Sequence, residues 1–409
     1  MLRNKQYFFF AVVLIVATIT LGSMYTPQVL VEMHISSCAE MQDNLQVECV
    51  FEMIEEYVRR GDMDGAMHVF SRAYERLYFF ASTGCHRYAH RVGDVAYYEH
   101  YLATRDLETM EFPQETTACG YGFFHGFLEH LVQDRPSPPF VTEVCEHLHE
   151  RLGDTMGDVR LICYHGSGHG FTLAQAEEIS LQEWGVMRRF VDTPVLQCES
   201  LDQATESEVE ECKQGVFNVI VDWMEQKQYG FAYNTERPFE PCDELPAGYI
   251  HACYYEMAQK LDSVSGRDPV LLAQIARMAR TEELARVAFG VGIAGVIQQT
   301  IANDQGYEKT LDGCVELDDT FLPMCIESVA HGLFEHGSPQ REYEKALEFC
   351  AETRVDEHGV EETCYRAVAT RLPRFYDEAT ISAICREFPR DFQASCESLS
   401  KSAGSAPRG

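Results

Sequence analysis

Positive charge is scarce in this chain. Its 33 Lys and Arg face 65 Asp and Glu, a formal net charge of −32, and only seven of the basic residues are Lys. That deficit excludes nucleic acid and anionic membrane surfaces as partners, since both need a basic footprint. Strand signals are also scarce, because no extended valine–threonine alternation runs between turn residues. There is no C-x-x-C, which removes the usual zinc-ribbon and thioredoxin readings, and no C-x-x-C-H for haem attachment. G-x-S-x-G, P-loop and H-E-x-x-H patterns are missing too, so no familiar hydrolase, nucleotide or zincin signature names a reaction. Gly166-Ser167-Gly168 places a serine near His165 and His169, but a serine between glycines reads as a small packing residue rather than a nucleophile.

Two things are abundant at particular places. Arg3 and Lys5 precede an apolar run over 7–24, which reads as a signal anchor because no clear A-x-A cleavage site follows, with a cleaved signal peptide as the alternative. Residues 1–6 would then be cytoplasmic, 25–37 a linker, 38–399 the exported domain and 400–409 a disordered tail. Either version of the leader exports the rest of the chain, leaving it membrane-tethered or secreted. The second abundance is cysteine. Sixteen of them after an export signal read as eight disulfides in an oxidising compartment.

Cys49, Cys85, Cys119, Cys163, Cys212, Cys253, Cys325, Cys364 and Cys396 form a ladder with spacings of 32 to 49 residues and one double gap of 72. The double gap holds 286–292, a small-residue segment without cysteine. About ten units of this length fit two-helix repeats. The expected fold is therefore all-α: disulfide-stapled helical hairpins in an α-solenoid or a closed α/α superhelix. Ala66, Phe70 and Ala73 resemble the spacing of tetratricopeptide helices, a local likeness from which no residue role follows. Amphipathic stretches are expected over Met67–Phe80, Leu271–Ala288 and Glu342–Cys350. Most ladder cysteines have a second one 11 to 18 residues upstream, which suggests pairing Cys38–Cys49, Cys145–Cys163, Cys198–Cys212, Cys242–Cys253, Cys314–Cys325, Cys350–Cys364 and Cys385–Cys396. Cys85 and Cys119 remain and would pair with each other. Small residues three after the cysteine (Gly122, Gly166, Gly215, Ser328, Ala367) imply close helix–helix approach.

The histidines follow the same ladder. His86/His90 and His165/His169 are i, i+4 pairs, and Glu129 lies one turn beyond His125, so each pair shares a helix face. Adjacent units would bring His86, His90, His125, His165, His169 and Glu129 to one concave face as ligands for iron, copper or zinc, with haem or a dinuclear centre as other occupants. Glu129 could serve as ligand or base. His331 and Glu335 repeat the His125/Glu129 pattern as a second, weaker candidate, near the first only if the superhelix closes. The expected function is metal or metallocofactor binding for redox or hydrolytic chemistry. The competing expectation is a non-catalytic scaffold whose groove takes a protein or peptide.

Overall fold

The structure, a computed structural model, describes residues 27–82, 84–153, 156, 159–302 and 306–405. The apolar run over 7–24 lies outside them. The described residues are helical with no strand. Helices α1 (Pro27–Ala39), α2 (Asp43–Arg59) and α3 (Met63–Arg76) pack on one another at the start. The expected linker over 25–37 is thus corrected from Pro27 onward. Val31, Ile35 and Cys38 recur at helical spacing and are fully buried, so this segment has a core face of its own. Ala66, Phe70 and Ala73 form the buried stripe of α3.

The longer helices that follow are α4 (Cys85–Val95), α5 (Ala118–Asp134), α6 (Pro138–Leu152), α7 (Val159–Glu178), α8 (Met187–Glu199) and α9 (Glu206–Gln226). The chain continues through α10 (Ala247–Ala258), α11 (Glu282–Ala302), α12 (Leu322–Glu335), α13 (Glu361–Phe375) and α14 (Arg390–Ser405). Helices α4, α5, α7, α9, α10, α11, α12, α13 and α14 each pack against the next in that order. The far end then meets the near end. Helix α12 touches α5, the Tyr74 hydroxyl donates to the His336 carbonyl at 3.1 Å, and the Tyr121 hydroxyl donates to the Arg374 carbonyl at 2.6 Å.

All sixteen cysteines are paired, in the eight pairs that the spacing suggests. In six of them a cysteine of one helix is tied to the helix that follows, as Cys145 of α6 to Cys163 of α7 and Cys198 of α8 to Cys212 of α9, while Cys350–Cys364 passes over the short helix Thr353–Glu357 to reach α13. Cys85–Cys119 differs, because its cysteines are 34 residues apart and it joins α4 to α5 across the several short helical turns between them. Each bridge adds about 2–4 kcal/mol by restricting the unfolded chain. Eight such pairs suit an oxidising, extracytoplasmic setting.

Two further expectations are corrected. Leu271–Ala288 is not one helix: Pro269–Ala276 ends, and α11 begins at Glu282 after a turn. Residues 286–292 then fall inside α11, where Gly292 faces the Leu272 side chain. By length and composition α11 could cross a membrane, yet half of its apolar window is buried between α10 and α12, as for a core helix. The tail expected from 400 continues α14 as far as Ser405, and the buried Ser400 hydroxyl donates to the Ala369 carbonyl of α13.

Glycine sets the distance between the helices that carry histidine. A β-carbon on Gly126 of α5 would stand 2.1 Å from the His90 carbonyl oxygen of α4, and one on Gly122 would stand 2.4 Å from that of His86. The same holds between α7 and α9, where Gly168 would meet the Cys212 carbonyl oxygen at 2.0 Å. Only a residue without a side chain lets these backbones touch. The close approach brings side chains on neighbouring helices within reach of one another.

Candidate metal centre

Helix α5 enters the site through three successive left-handed residues, Cys119 (φ 59°), Gly120 (φ 61°) and Tyr121 (φ 61°). Two of them carry side chains, so the turn is strained and must be held by its surroundings. The Cys85–Cys119 bridge, the Tyr121–Arg374 hydrogen bond and His86 hold it. His86 Nδ1 donates to the Cys119 carbonyl at 2.9 Å. Its Nε2 therefore bears a lone pair, which accepts from His125 Nδ1 at 3.2 Å. That fixes the tautomer of His125 and puts the lone pair on its Nε2.

His125, His165 and His169 gather at one point, with ligand nitrogens all within 4.8 Å of one another. Their ring centres stand 4.8 Å (His125–His165), 5.2 Å (His125–His169) and 5.1 Å (His165–His169) apart. Three imidazoles ligating a tetrahedral ion at about 2.0–2.1 Å hold their ring centres roughly 5 Å apart. Carboxylates stand behind two of the rings: Glu129 Oε2 lies 3.3 Å from His169 Nδ1, and Glu211 Oε2 lies 3.5 Å from His165 Nδ1. A carboxylate there keeps the proton on Nδ1 and points the Nε2 lone pair inward. Nε2 of His165 and Nε2 of His169 are both buried with no hydrogen-bond partner in the protein.

Electrostatics keep most of these rings neutral, as metal ligation requires. Burial, reinforced by the neighbouring imidazoles, holds His125 well below the usual histidine range. Burial likewise lowers His169 against the pull of Glu129, and lowers His86 to about 3. His165 goes the other way: burial lowers it, but Glu211 and Glu256 outweigh burial and raise it. Burial pushes Glu256 up to about 7, while Asn218 and Gln259 donate to its Oε2 at 2.6 and 2.7 Å.

Of the six residues expected at the site, three converge and three stand around them. His86 is behind His125, Glu129 is behind His169, and His90 lies on the far side of Glu129 with Nε2 3.2 Å from Oε2. Glu129 and Asp94 together raise His90 to about 10 against its burial, and burial of Glu129 is outweighed by His169 and His90, which lower it to about 2. His331 and Glu335 sit differently. Arg371 takes the Glu335 carboxylate at 2.9 Å, and among the described residues no third metal-ligating side chain joins the pair. They do return toward the first site, since α12 touches α5 and the charge of His336 is near enough to help lower His86.

Glu211, Glu256 and Asp94 were not legible as site residues in advance. Asp94 sits one helical turn after His90, a spacing that could have flagged it. Glu211 directly precedes Cys212 and Glu256 follows Cys253 by three residues, in units that carry no histidine six residues after the cysteine. His34 approaches Cys38 and Cys49, but those sulfurs are bonded to each other and His34 Nε2 meets the Cys49 carbonyl oxygen at 3.0 Å. Comparison with protein-family models, curated proteins and solved structures finds no match for this chain.

Proposed function

We propose that this chain binds a transition-metal ion through Nε2 of His125, His165 and His169, in a disulfide-stapled closed α/α superhelix held outside the cytoplasm by the apolar run over 7–24. The observation that carries this reading is the pair of buried, unpartnered Nε2 atoms on His165 and His169. Each such atom left unsatisfied costs about 1–3 kcal/mol, a cost that an ion between them removes. The successive packing of the long helices and the return of α12 and α13 to α5 support the closed form.

Imidazole ligands suit zinc, copper and iron. Three protein ligands leave a fourth position open, and an ion held this way supplies Lewis acidity and an activated water. Glu129 and Glu211 orient the ligands, and His86 fixes the tautomer of His125. Haem is a poorer occupant. Axial rings on opposite sides of a haem iron have centres roughly 6 Å apart, wider than the 4.8–5.2 Å between these rings. The scaffold reading calls for scattered histidines along a groove, and the gathering of five of them favours a site.

The test is metal analysis of the full chain, purified with its disulfides intact, beside His125→Ala/His169→Ala. Near-stoichiometric zinc, copper or iron that disappears in a variant with an unchanged circular dichroism spectrum supports the proposal. No metal after purification, and none taken up on titration, overturns it.

A further inference from the structure

We infer that a second cation binds beside the first, held by Asp94, Glu129 and His130. Their ligand atoms also lie within 4.8 Å of one another. His130 Nε2 stands 3.3 Å from Asp94 Oδ1 and 3.8 Å from Glu129 Oε1. Two ligands of one ion at about 2.1 Å are roughly 3.0–4.2 Å apart, so these separations match a shared ion. Asp94 Oδ1 is buried and makes no aligned hydrogen bond, although His90 Nδ1 and His130 Nε2 are both 3.3 Å from it. The other nitrogen of His130, Nδ1, meets the Tyr98 hydroxyl at 3.3 Å, which turns Nε2 toward the carboxylates. Tyr98 reaches it from a π-helical turn, Ala96–Tyr101, a local widening that often accompanies function.

Two carboxylates and one imidazole make a harder ligand set than three imidazoles, suited to manganese as well as zinc. Glu129 links the two places. Its Oε1 faces His130 while its Oε2 faces His169, so a cation on one side draws on the carboxylate that supports a ligand on the other. This inference adds a second ion to the proposed centre and is separable from it, because Asp94 and His130 belong to a ligand group distinct from the three histidines.

The experiment is equilibrium dialysis of the full chain against Zn²⁺, and separately Mn²⁺, for the unaltered protein, Asp94→Asn/His130→Gln and His125→Ala/His169→Ala. Two zinc equivalents in the first, and one in each variant, is the expected result. One equivalent that Asp94→Asn/His130→Gln keeps and His125→Ala/His169→Ala loses overturns the second cation and leaves the first. One equivalent with the reverse pattern supports the second cation and overturns the three-histidine site; no uptake overturns both. If the double variant unfolds, His130→Gln alone is read instead. A weakening of the second equivalent by about tenfold or more supports the inference, and an unchanged isotherm overturns it.

Discussion

Gly215 of α9 lies against the His165 carbonyl of α7 so closely that a β-carbon would stand 1.9 Å from its oxygen. The contact ties helix packing to the site, because the same α7 residue presents its imidazole to His125 and His169. Gly215→Ala is therefore expected to push α9 from α7, destabilising the fold by about 1–3 kcal/mol or more. Thermal melting would register the loss, and a melting temperature equal to that of the unaltered protein would refute the packing argument.

Glu211→Gln keeps the size of the side chain and removes the charge behind His165. Outer carboxylates of this kind are worth about 10–100-fold in metal affinity. Competitive zinc titration is expected to show a loss in that range with little change in the melting temperature of the metal-free protein. Unchanged affinity would mean that Glu211 does not orient the ligand.

The metal-free protein is expected to be most stable near pH 6.5. His86 and His331, lowered to about 3 chiefly by burial, resist protonation in the folded state, so stability is lost as pH falls from 6.5 toward 3. Glu129, lowered to about 2, adds to that loss once pH drops below its unfolded value of 4.5. His90, raised to about 10 by Asp94 and Glu129 against burial, contributes stability that fades as pH rises from 6.5 through 10. Melting curves across pH should show both limbs, and His90→Gln should flatten the alkaline one. An alkaline limb that persists unchanged in that variant would assign it elsewhere.

Cys145→Ser/Cys163→Ser removes the bridge that ties α6 to α7. A loss of about 2–5 kcal/mol is expected by denaturant unfolding. Zinc affinity should fall with it if α6 helps to set the position of α7, whereas preserved affinity would show that the glycine contacts alone position His165 and His169.

Much of this was readable before the fold. A cysteine repeated along the chain with a partner one short helix upstream specifies local pairs, because 11 to 18 residues span only a turn and the next helix. Glycines three after the cysteine announced backbone contact, and the i, i+4 histidines announced a shared face. These are properties of a chain with its neighbours in sequence, which helical periodicity alone conveys.

What the sequence by itself determined is the class of element, the staples and the face on which the histidines stand. The tertiary structure decided which of them meet. His125, His165 and His169 converge while His86 and His90 stand one step outside, because the offset of α4 against α5 is set by Gly122 and Gly126 on the His86 and His90 carbonyls. The structure also supplied Glu211 and Glu256 from helices α9 and α10, and brought Arg371 to Glu335. Such partners depend on rotation and register between helices tens of residues apart, and those are set by side-chain packing rather than by any spacing along the chain.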